Sequence, residues 1–161
     1  MLSENDRKAI LELIHRQLVP AIGCTEPIAV ALCAAKAKEL LGCTPERIDV
    51  RLSANVLKNA MGVGIPGTGM IGLPIAIALG VLIGDSEKQL EVLKGCTPES
   101  VKLGKQMIAE NRIDIKLETE DTNKLFINIT CTSGNEMAEA RIKGSHTNFV
   151  FLRKNSEVLL D

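Results

Sequence analysis

The chain has 161 residues, of which 45% are hydrophobic and 24% charged, a balance typical of one globular domain with a buried core. The formal net charge is -1, so no overall field attracts nucleic acid or an anionic membrane. Three phenylalanines are the only aromatic residues, which removes the stacking platforms that single-strand nucleic-acid binders use. We therefore expect neither nucleic acid nor a membrane as a partner.

The N-terminal segment is charged where a secretory signal would be apolar, since it carries Glu4, Asp6, Arg7 and Lys8. This indicates a cytoplasmic protein. The chain has five cysteines, and we expect free thiols because the number is odd and disulfides do not persist in a reducing cytosol.

Two helices are predicted first. Ser3 is a suitable N-cap, and an apolar stripe over residues 10–18 predicts an amphipathic helix that ends near Pro20. The second helix is predicted to begin at Thr25, to run through an alanine-rich segment and to end at Gly42.

A predicted strand and a glycine-rich loop follow. Residues 47–54 alternate apolar and polar side chains, which is the pattern of a half-buried strand. Residues 55–69 mix amides, one lysine and clustered glycines, which favours an irregular loop whose backbone can approach a ligand. Residues 61–84 carry no charge, but their glycines and prolines disfavour a membrane span. We expect a buried helix over residues 69–83 instead.

The rest of the chain changes from helix to strand. Residues 86–94 and 98–111 predict two more helices. Alternating runs separated by turn residues then predict an antiparallel sheet of about four strands. These runs are residues 113–119, 125–131, 137–143 and 148–153. Helices first and strands later indicate a single α+β domain over residues 1–161, mainly helical over 1–112 and mainly β over 113–161.

Cys24 is the candidate for reactive chemistry. It directly precedes Thr25, where unpaired N–H groups and the positive end of the helix dipole favour a thiolate. The alternative is an inert small hydrophobic residue, which is the interpretation we prefer for Cys33 and Cys131. No two cysteines have the close spacing typical of zinc or iron–sulfur ligands, so no metal site is expected in this chain.

The glycine-rich loop offers hydrogen-bond donors for a small carboxylate. These donors are Asn55, Lys58, Asn59, Thr68 and Gly69. The alternative is a tight packing loop without a ligand. Two overlapping G-x-G-x-x-G patterns do not indicate a dinucleotide site, because they do not follow a strand directly and Pro66 removes an amide donor. Farther along, His146 lies between predicted strands and Asn148 begins the second of them, and here either a turn network or a ligand contact is possible.

Three blocks of sequence resemble the L-cysteine desulfidase family, which includes uncharacterised proteins related to the alpha chain of iron–sulfur serine dehydratase. The first block is VPAIGCTEPIA over residues 19–29. The second is NVLKNA over 55–60, running into GIPGTG over 64–69. The third is HTN over 146–148. The order and content of all three blocks match the family.

The resemblance implies β-elimination of L-cysteine to sulfide, ammonia and pyruvate, or of L-serine to pyruvate and ammonia, without pyridoxal phosphate. Cys24 matches the proposed proton acceptor of the family. A [4Fe–4S] cluster would serve the complete enzyme, with its ligands in a C-terminal region that lies in the same chain or in a partner chain. The candidate substrate-binding residues are Thr25, Glu26, Asn55, Lys58, Asn59, Gly67, Thr68, Gly69, His146 and Asn148.

Two other functions remain open from the sequence. One is a carboxylate-, phosphate- or nucleotide-binding module that uses the glycine-rich loop over residues 62–69. The other is a noncatalytic oligomerisation domain, and a homo-oligomer is compatible with any of the three functions.

Overall fold

The computed structural model describes residues 3–17 and 24–161, and over these ranges the chain has the predicted α+β class. Five α-helices are present in the described ranges: α1 (Glu4–Gln17), α2 (Thr25–Leu41), α3 (Ala54–Ala60), α4 (Leu73–Ile83) and α5 (Pro98–Ala109). A short 3₁₀ helix covers Ser86–Glu91. Eight strands are described: β1 (Arg47–Leu52), β2 (Gly64–Ile65), β3 (Met70–Ile71), β4 (Ile113–Leu117), β5 (Phe126–Ser133), β6 (Glu136–Lys143), β7 (Phe149–Lys154) and β8 (Glu157–Leu160).

Six of the strands form one sheet in the order β4-β1-β5-β6-β7-β8. Strand β1 pairs in parallel with β4 and antiparallel with β5, and every later neighbour is antiparallel. The predicted C-terminal sheet is therefore mixed, it takes in the early strand β1, and it contains β8, which the sequence did not predict. Side chains alternate between an apolar face, formed at its centre by Ile127 and Ala140, and a face that carries polar and charged groups such as Asn128 and Arg141.

Helix α2 packs between the apolar face of the sheet and helix α4. Its alanine-rich sequence suits this position, because small side chains let two layers approach on opposite sides of one helix. Gly80 of α4 marks the closest approach, since an added Cβ would lie 2.5 Å from the carbonyl oxygen of Ala31 and 3.0 Å from the Cβ of Ala34. Helix α2 ends at Gly42, whose φ of 88° is the left-handed conformation that glycine adopts without strain.

The glycine-rich segment is more regular than the sequence predicts. Its first part is helix α3, because Ser53 caps the helix and also donates its hydroxyl to the carbonyl of Lys124 at 2.7 Å. Val56 and Ala60 then bury one helical face. The prediction of an irregular loop over all of residues 55–69 was therefore wrong for this first part.

The second part of that segment forms a two-stranded hairpin from β2 and β3. The following helix consequently begins at Leu73, later than the predicted residue 69. The predicted helix over residues 86–94 is reduced to the short 3₁₀ helix, inside which Gln89 has a φ of 49°. No helix in the described part of the chain combines the length and the apolar character that crossing a membrane requires.

Helix α1 confirms the predicted N-cap, since the hydroxyl of Ser3 accepts the N–H of Asp6 at 3.1 Å. The side chains described on this helix, residues 4–15, are exposed. Its predicted end near Pro20 lies outside the described residues, as do residues 19–23 of the first block that carries the family resemblance.

Candidate functional site

Cys24 lies at the start of α2 and contacts a carboxylate. Its sulfur is 3.4 Å from Oε2 of Glu26, and the hydroxyl of Thr25 is 3.3 Å from the same oxygen. Cys24 is half-buried, and it occupies the N-cap position without a side-chain capping bond. Its thiol is therefore directed to Glu26 and does not satisfy the helix backbone.

His146 reaches the other oxygen of the same carboxylate. Its Nε2 is 3.6 Å from Oε1 of Glu26, although the two residues are on α2 and on the turn between β6 and β7. This Nε2 is buried and, within the described part of the chain, has no hydrogen-bond partner. We call Cys24, Thr25, Glu26 and His146 the thiol cluster.

The turn that carries His146 is held by Asn148. The Asn148 side-chain amide donates to the carbonyl of Lys143 at 2.9 Å, and its backbone N–H donates to the carbonyl of Ser145 at 3.2 Å. The side chain of Asn148 therefore stabilises the turn, which was one of the two predicted alternatives, whereas the side chain of His146 is directed towards α2. The role of either residue in substrate binding stays a prediction.

The carboxyl group of Glu26 is kept in its ionised form. Partial burial raises its pKa, but the hydrogen bonds from its own backbone N–H, from Cys24 and from Thr25, together with the charge of His146, outweigh burial. The net result is a pKa below the ordinary value. The thiol cluster therefore contains a fixed negative charge at neutral pH.

The fold gathers these groups at one end of the sheet. Backbone bonds join Gly144 to the carbonyl of Leu125 at 3.0 Å and Ser53 to the carbonyl of Phe126 at 3.0 Å. The β6–β7 turn, the segment before β5 and the start of α3 consequently lie at the same end. The contact between His146 and Glu26 places the start of α2 there as well.

A pocket of about 390 Å³ opens at this end of the sheet. Two candidate residues, Asn55 and Lys58, line it from α3. The rest of its wall is formed by Ser53, Ala54, Glu118, Asp121, Thr122, Asn123 and Lys124. Sequence reasoning missed the acidic members of this wall, although the acidic run over residues 118–121 was a visible signal.

Asp121 is tied to the sheet next to this pocket. Lys143 hydrogen-bonds to its carboxylate at 2.6 Å, and this bond is the main reason that the pKa of Asp121 is below its ordinary value. Glu118 is 3.3 Å from the guanidinium of Arg51. The pocket is therefore lined both by carboxylates, which are paired with Lys143 and Arg51, and by Lys58 and Lys124.

The remaining candidates of the glycine-rich segment do not line this pocket. Asn59 is an exposed residue of α3. Thr68 is buried in the β2–β3 hairpin, where its hydroxyl bonds to the carbonyl of Ile65 at 2.7 Å and accepts the N–H of Met70 at 2.9 Å. Gly67 and Gly69 shape the same turn with φ values of 78° and 65°. Their predicted contact with a substrate has no support from this geometry.

The interior cysteines behave as the sequence predicts. Cys33 and Cys131 are fully buried, and the Cys33 thiol is 3.2 Å from the carbonyl oxygen of Ala140. Burial raises the pKa of both thiols, that of Cys131 to about 12. Both are therefore confirmed as packing residues.

A [4Fe–4S] cluster does not fit the described residues. Over residues 3–17 and 24–161, no group of three or more histidine, cysteine, aspartate or glutamate side chains could hold a metal ion. No cluster chemistry can therefore be assigned to the described side chains.

These features define a mixed α+β domain with a half-buried, carboxylate-bonded cysteine at the start of a buried helix. No family profile and no solved structure matches the chain. It is similar to proteins named UPF0597 protein. One from Bacteroides fragilis is 63% identical over 160 residues, which is 99% of this chain and 37% of that protein.

Two further relatives carry the same name. The protein from Oleidesulfovibrio alaskensis is 47% identical over 149 residues, which is 92% of this chain and 35% of the relative. The protein from Porphyromonas gingivalis is 46% identical over 160 residues, or 99% and 37% of the two chains. The chain therefore spans little more than a third of the length of these relatives, and their names state no activity.

Proposed function

We propose that this chain supplies the proton-transfer part of an amino-acid lyase, which a cluster-binding region in the same chain or in a partner chain completes. The reaction is β-elimination of L-cysteine to sulfide, ammonia and pyruvate, or of L-serine to pyruvate and ammonia. One observation carries the proposal: the Cys24 thiol is half-buried at the start of α2 and hydrogen-bonded to Glu26. The family resemblance of the sequence around Cys24 supplies the class of reaction.

Cys24 acts as the base in this reaction. Cys24 first loses its thiol proton to solvent, and its thiolate then takes the α-proton of the substrate, so that the C–H bond breaks and an S–H bond forms. The electron pair of the C–H bond becomes the Cα=Cβ double bond, and the β-substituent leaves with the pair of its own bond. The aminoacrylate product tautomerises to an imine, which water hydrolyses to pyruvate and ammonia.

The pocket beside α3 is the proposed binding place for the amino-acid substrate. Lys58 and Asn55 offer donors for the α-carboxylate, and Glu118 and Asp121 offer acceptors for the α-ammonium group. A volume of about 390 Å³ admits a small amino acid. Cys24 does not line the pocket, so the proposal requires that the bound substrate extends from the pocket to the Cys24 thiol at the same end of the sheet.

The cluster ligands of the proposed lyase lie outside the described residues of this chain. The [4Fe–4S] group of the complete enzyme would supply Lewis acidity toward the substrate. No pyridoxal phosphate is required by the proposal. The Thr68 hydroxyl is used within its own hairpin, so we propose no second function based on a nucleotide or phosphate at the glycine-rich segment.

The test places this chain in a complete protein. The matching 160-residue segment of the Bacteroides fragilis relative is replaced by this chain, and the chimera is purified anaerobically with its cluster reconstituted. Sulfide and pyruvate are measured with L-cysteine, and pyruvate with L-serine. We expect turnover that Cys24→Ser reduces by roughly 100-fold or more, because positioned acid–base groups contribute about that factor.

Cys43→Ser is the matched control, since Cys43 is exposed just beyond the other end of α2. It should leave turnover unchanged. The unaltered relative is assayed in parallel, so that a chimera that misassembles is recognised. An intact, cluster-loaded relative that releases neither product from either amino acid would contradict the proposed function. Full activity of the Cys24→Ser chimera would show that Cys24 is not the base of the reaction.

A further inference from the structure

The two oxygens of Glu26 have different neighbours. Oε2 accepts from the thiol of Cys24 and from the hydroxyl of Thr25, whereas Oε1 faces Nε2 of His146. An ionised carboxylate has only acceptor sites, so the contact with sulfur is a hydrogen bond only while the sulfur carries its proton. The geometry is thus that of a resting thiol held by an anion.

We propose that Glu26 is a positioning residue that holds Cys24 as a thiol at rest, and that the charge on His146 governs how readily Cys24 releases its proton. The catalytic meaning of this control rests on the proposed function, because it matters to turnover only if Cys24 is the base. The control itself concerns the three side chains alone and can be measured without a substrate.

Coulomb's law gives the sign of each effect. Formation of a thiolate beside the Glu26 carboxylate places two negative charges 3.4 Å apart, which opposes release of the proton. A protonated His146 partly neutralises Glu26 from its other side, 3.6 Å away, and so eases that release. A neutral His146 does not offset the charge of Glu26, so the carboxylate then opposes formation of the thiolate at full strength.

Few titratable groups face the Glu26 carboxylate, so the effect of each can be tested by substitution. Within the described residues, the titratable groups that act on Glu26 are Cys24 beside it in sequence and His146 from the β6–β7 turn. Thr25 also bonds to it but does not titrate in the range of interest. Glu26 and His146 are therefore the residues to vary in a test of Cys24 reactivity.

The measurement is the rate at which iodoacetamide alkylates Cys24 in this chain at pH 6 and pH 8, followed by mass spectrometry of the separate cysteine peptides. Cys43 in the same molecules is the internal reference, because it is exposed. In Glu26→Gln, the rate of Cys24 relative to Cys43 should rise roughly five- to tenfold, as expected for loss of a neighbouring charge in a water-like dielectric.

In His146→Asn, the relative rate should fall about two- to threefold at pH 6 and by less at pH 8, because histidine loses its positive charge as the pH rises. Because electrostatic effects add, the double variant should remain about two- to threefold slower than Glu26→Gln alone at pH 6. The dependence of the His146 effect on pH separates an effect of its charge from a purely structural effect of the histidine.

Circular dichroism and the thermal unfolding midpoint check that each variant is folded, and Glu26→Asp is the second variant in case Glu26→Gln does not fold. The aspartate keeps the charge but shortens the reach to sulfur, so its relative rate should lie between those of the wild type and Glu26→Gln. An unchanged relative rate in a folded Glu26→Gln variant, or an effect of His146→Asn that is equal at pH 6 and pH 8, would overturn the proposal. Alkylation rates as expected, together with no lyase activity in the cluster-loaded relative, would instead refute the proposed function and leave the control of Cys24 standing.

Discussion

Helix α1 is capped by the hydroxyl of Ser3, whereas Cys24 at the N-cap of α2 makes no side-chain capping bond, and the two helices have opposite surroundings. Every described side chain of α1 is exposed, including Leu11 at 54%, whereas Leu32 of α2 is at 0%. The apolar stripe of α1 is the more obvious helical pattern in the sequence. Periodicity therefore predicts that a segment is helical, but the alanine content of α2 is what lets it lie between two layers.

The largest expected difference between the helices is the cost of truncating one leucine. Leu32→Ala should lower the free energy of unfolding by about 3 to 4 kcal/mol, because it leaves a cavity between the sheet and α4. Urea denaturation followed by circular dichroism measures this change. A loss below about 1 kcal/mol would show that α2 is not the centre of the core.

A smaller loss is expected where α4 crosses α2. In Gly80→Ala, the new methyl group would lie 2.5 Å from the carbonyl oxygen of Ala31, so the two helices must separate. We expect a loss of about 2 kcal/mol in the same denaturation experiment. Gly95→Ala is the matched control, since a Cβ there would meet nothing within 4 Å. Equal stability of the two variants would contradict the close crossing.

The buried thiols that pack around α2 allow its burial to be tested through the pH dependence of the protein's stability. The pKa of Cys131 in the folded protein, about 12, is above the ordinary 9.0. Its contribution to the free energy of unfolding is therefore complete below pH 9 and is lost as the pH rises towards 12. Stability should consequently fall from pH 8 to pH 10.5, and Cys131→Ala should lessen that fall. Urea midpoints at the two pH values measure both effects. An equal fall in the variant would assign the alkaline loss to other groups.

The smallest effect is expected on α1. Leu11→Ala should change the free energy of unfolding by less than about 0.5 kcal/mol, because the leucine is already half in contact with solvent. The denaturation assay used for Leu32→Ala gives the comparison directly. A loss as large as that of Leu32→Ala would mean that α1 is covered in solution and that the contrast between the two helices is wrong.

The sequence predicted those elements whose signals are local. Helix α2 begins at Thr25 as predicted, and β5 to β7 agree with three of the predicted alternating runs to within two residues at each end. Helix α3 was missed because glycines farther along dominated the segment, although Ser53 was available as a cap. The parallel partner of β1 was missed because strand pairing depends on the whole sheet and not on the strand itself.

The candidate site shows the same difference between local features, which the sequence predicted, and long-range contacts, which it did not. The position of Cys24 beside a helix start follows from its immediate neighbours, and the structure places it there. The approach of His146 to Glu26 depends on how the β6–β7 turn sits over α2, which no local pattern encodes. Thr68 and Gly69 lie in the β2–β3 hairpin and shape its turn, and their predicted contact with a ligand stays a prediction.

The position of β1 between β4 and β5 has a consequence for biosynthesis. When β1 leaves the ribosome, neither neighbour exists, because Ile48 finally pairs with Ile113 and with Cys131. Both pairings require closure of long loops, which slows folding. The helical first part of the chain must therefore wait, with an unpaired strand and an apolar α2, until the last third has been synthesised. That interval is when chaperone binding would matter most for this protein.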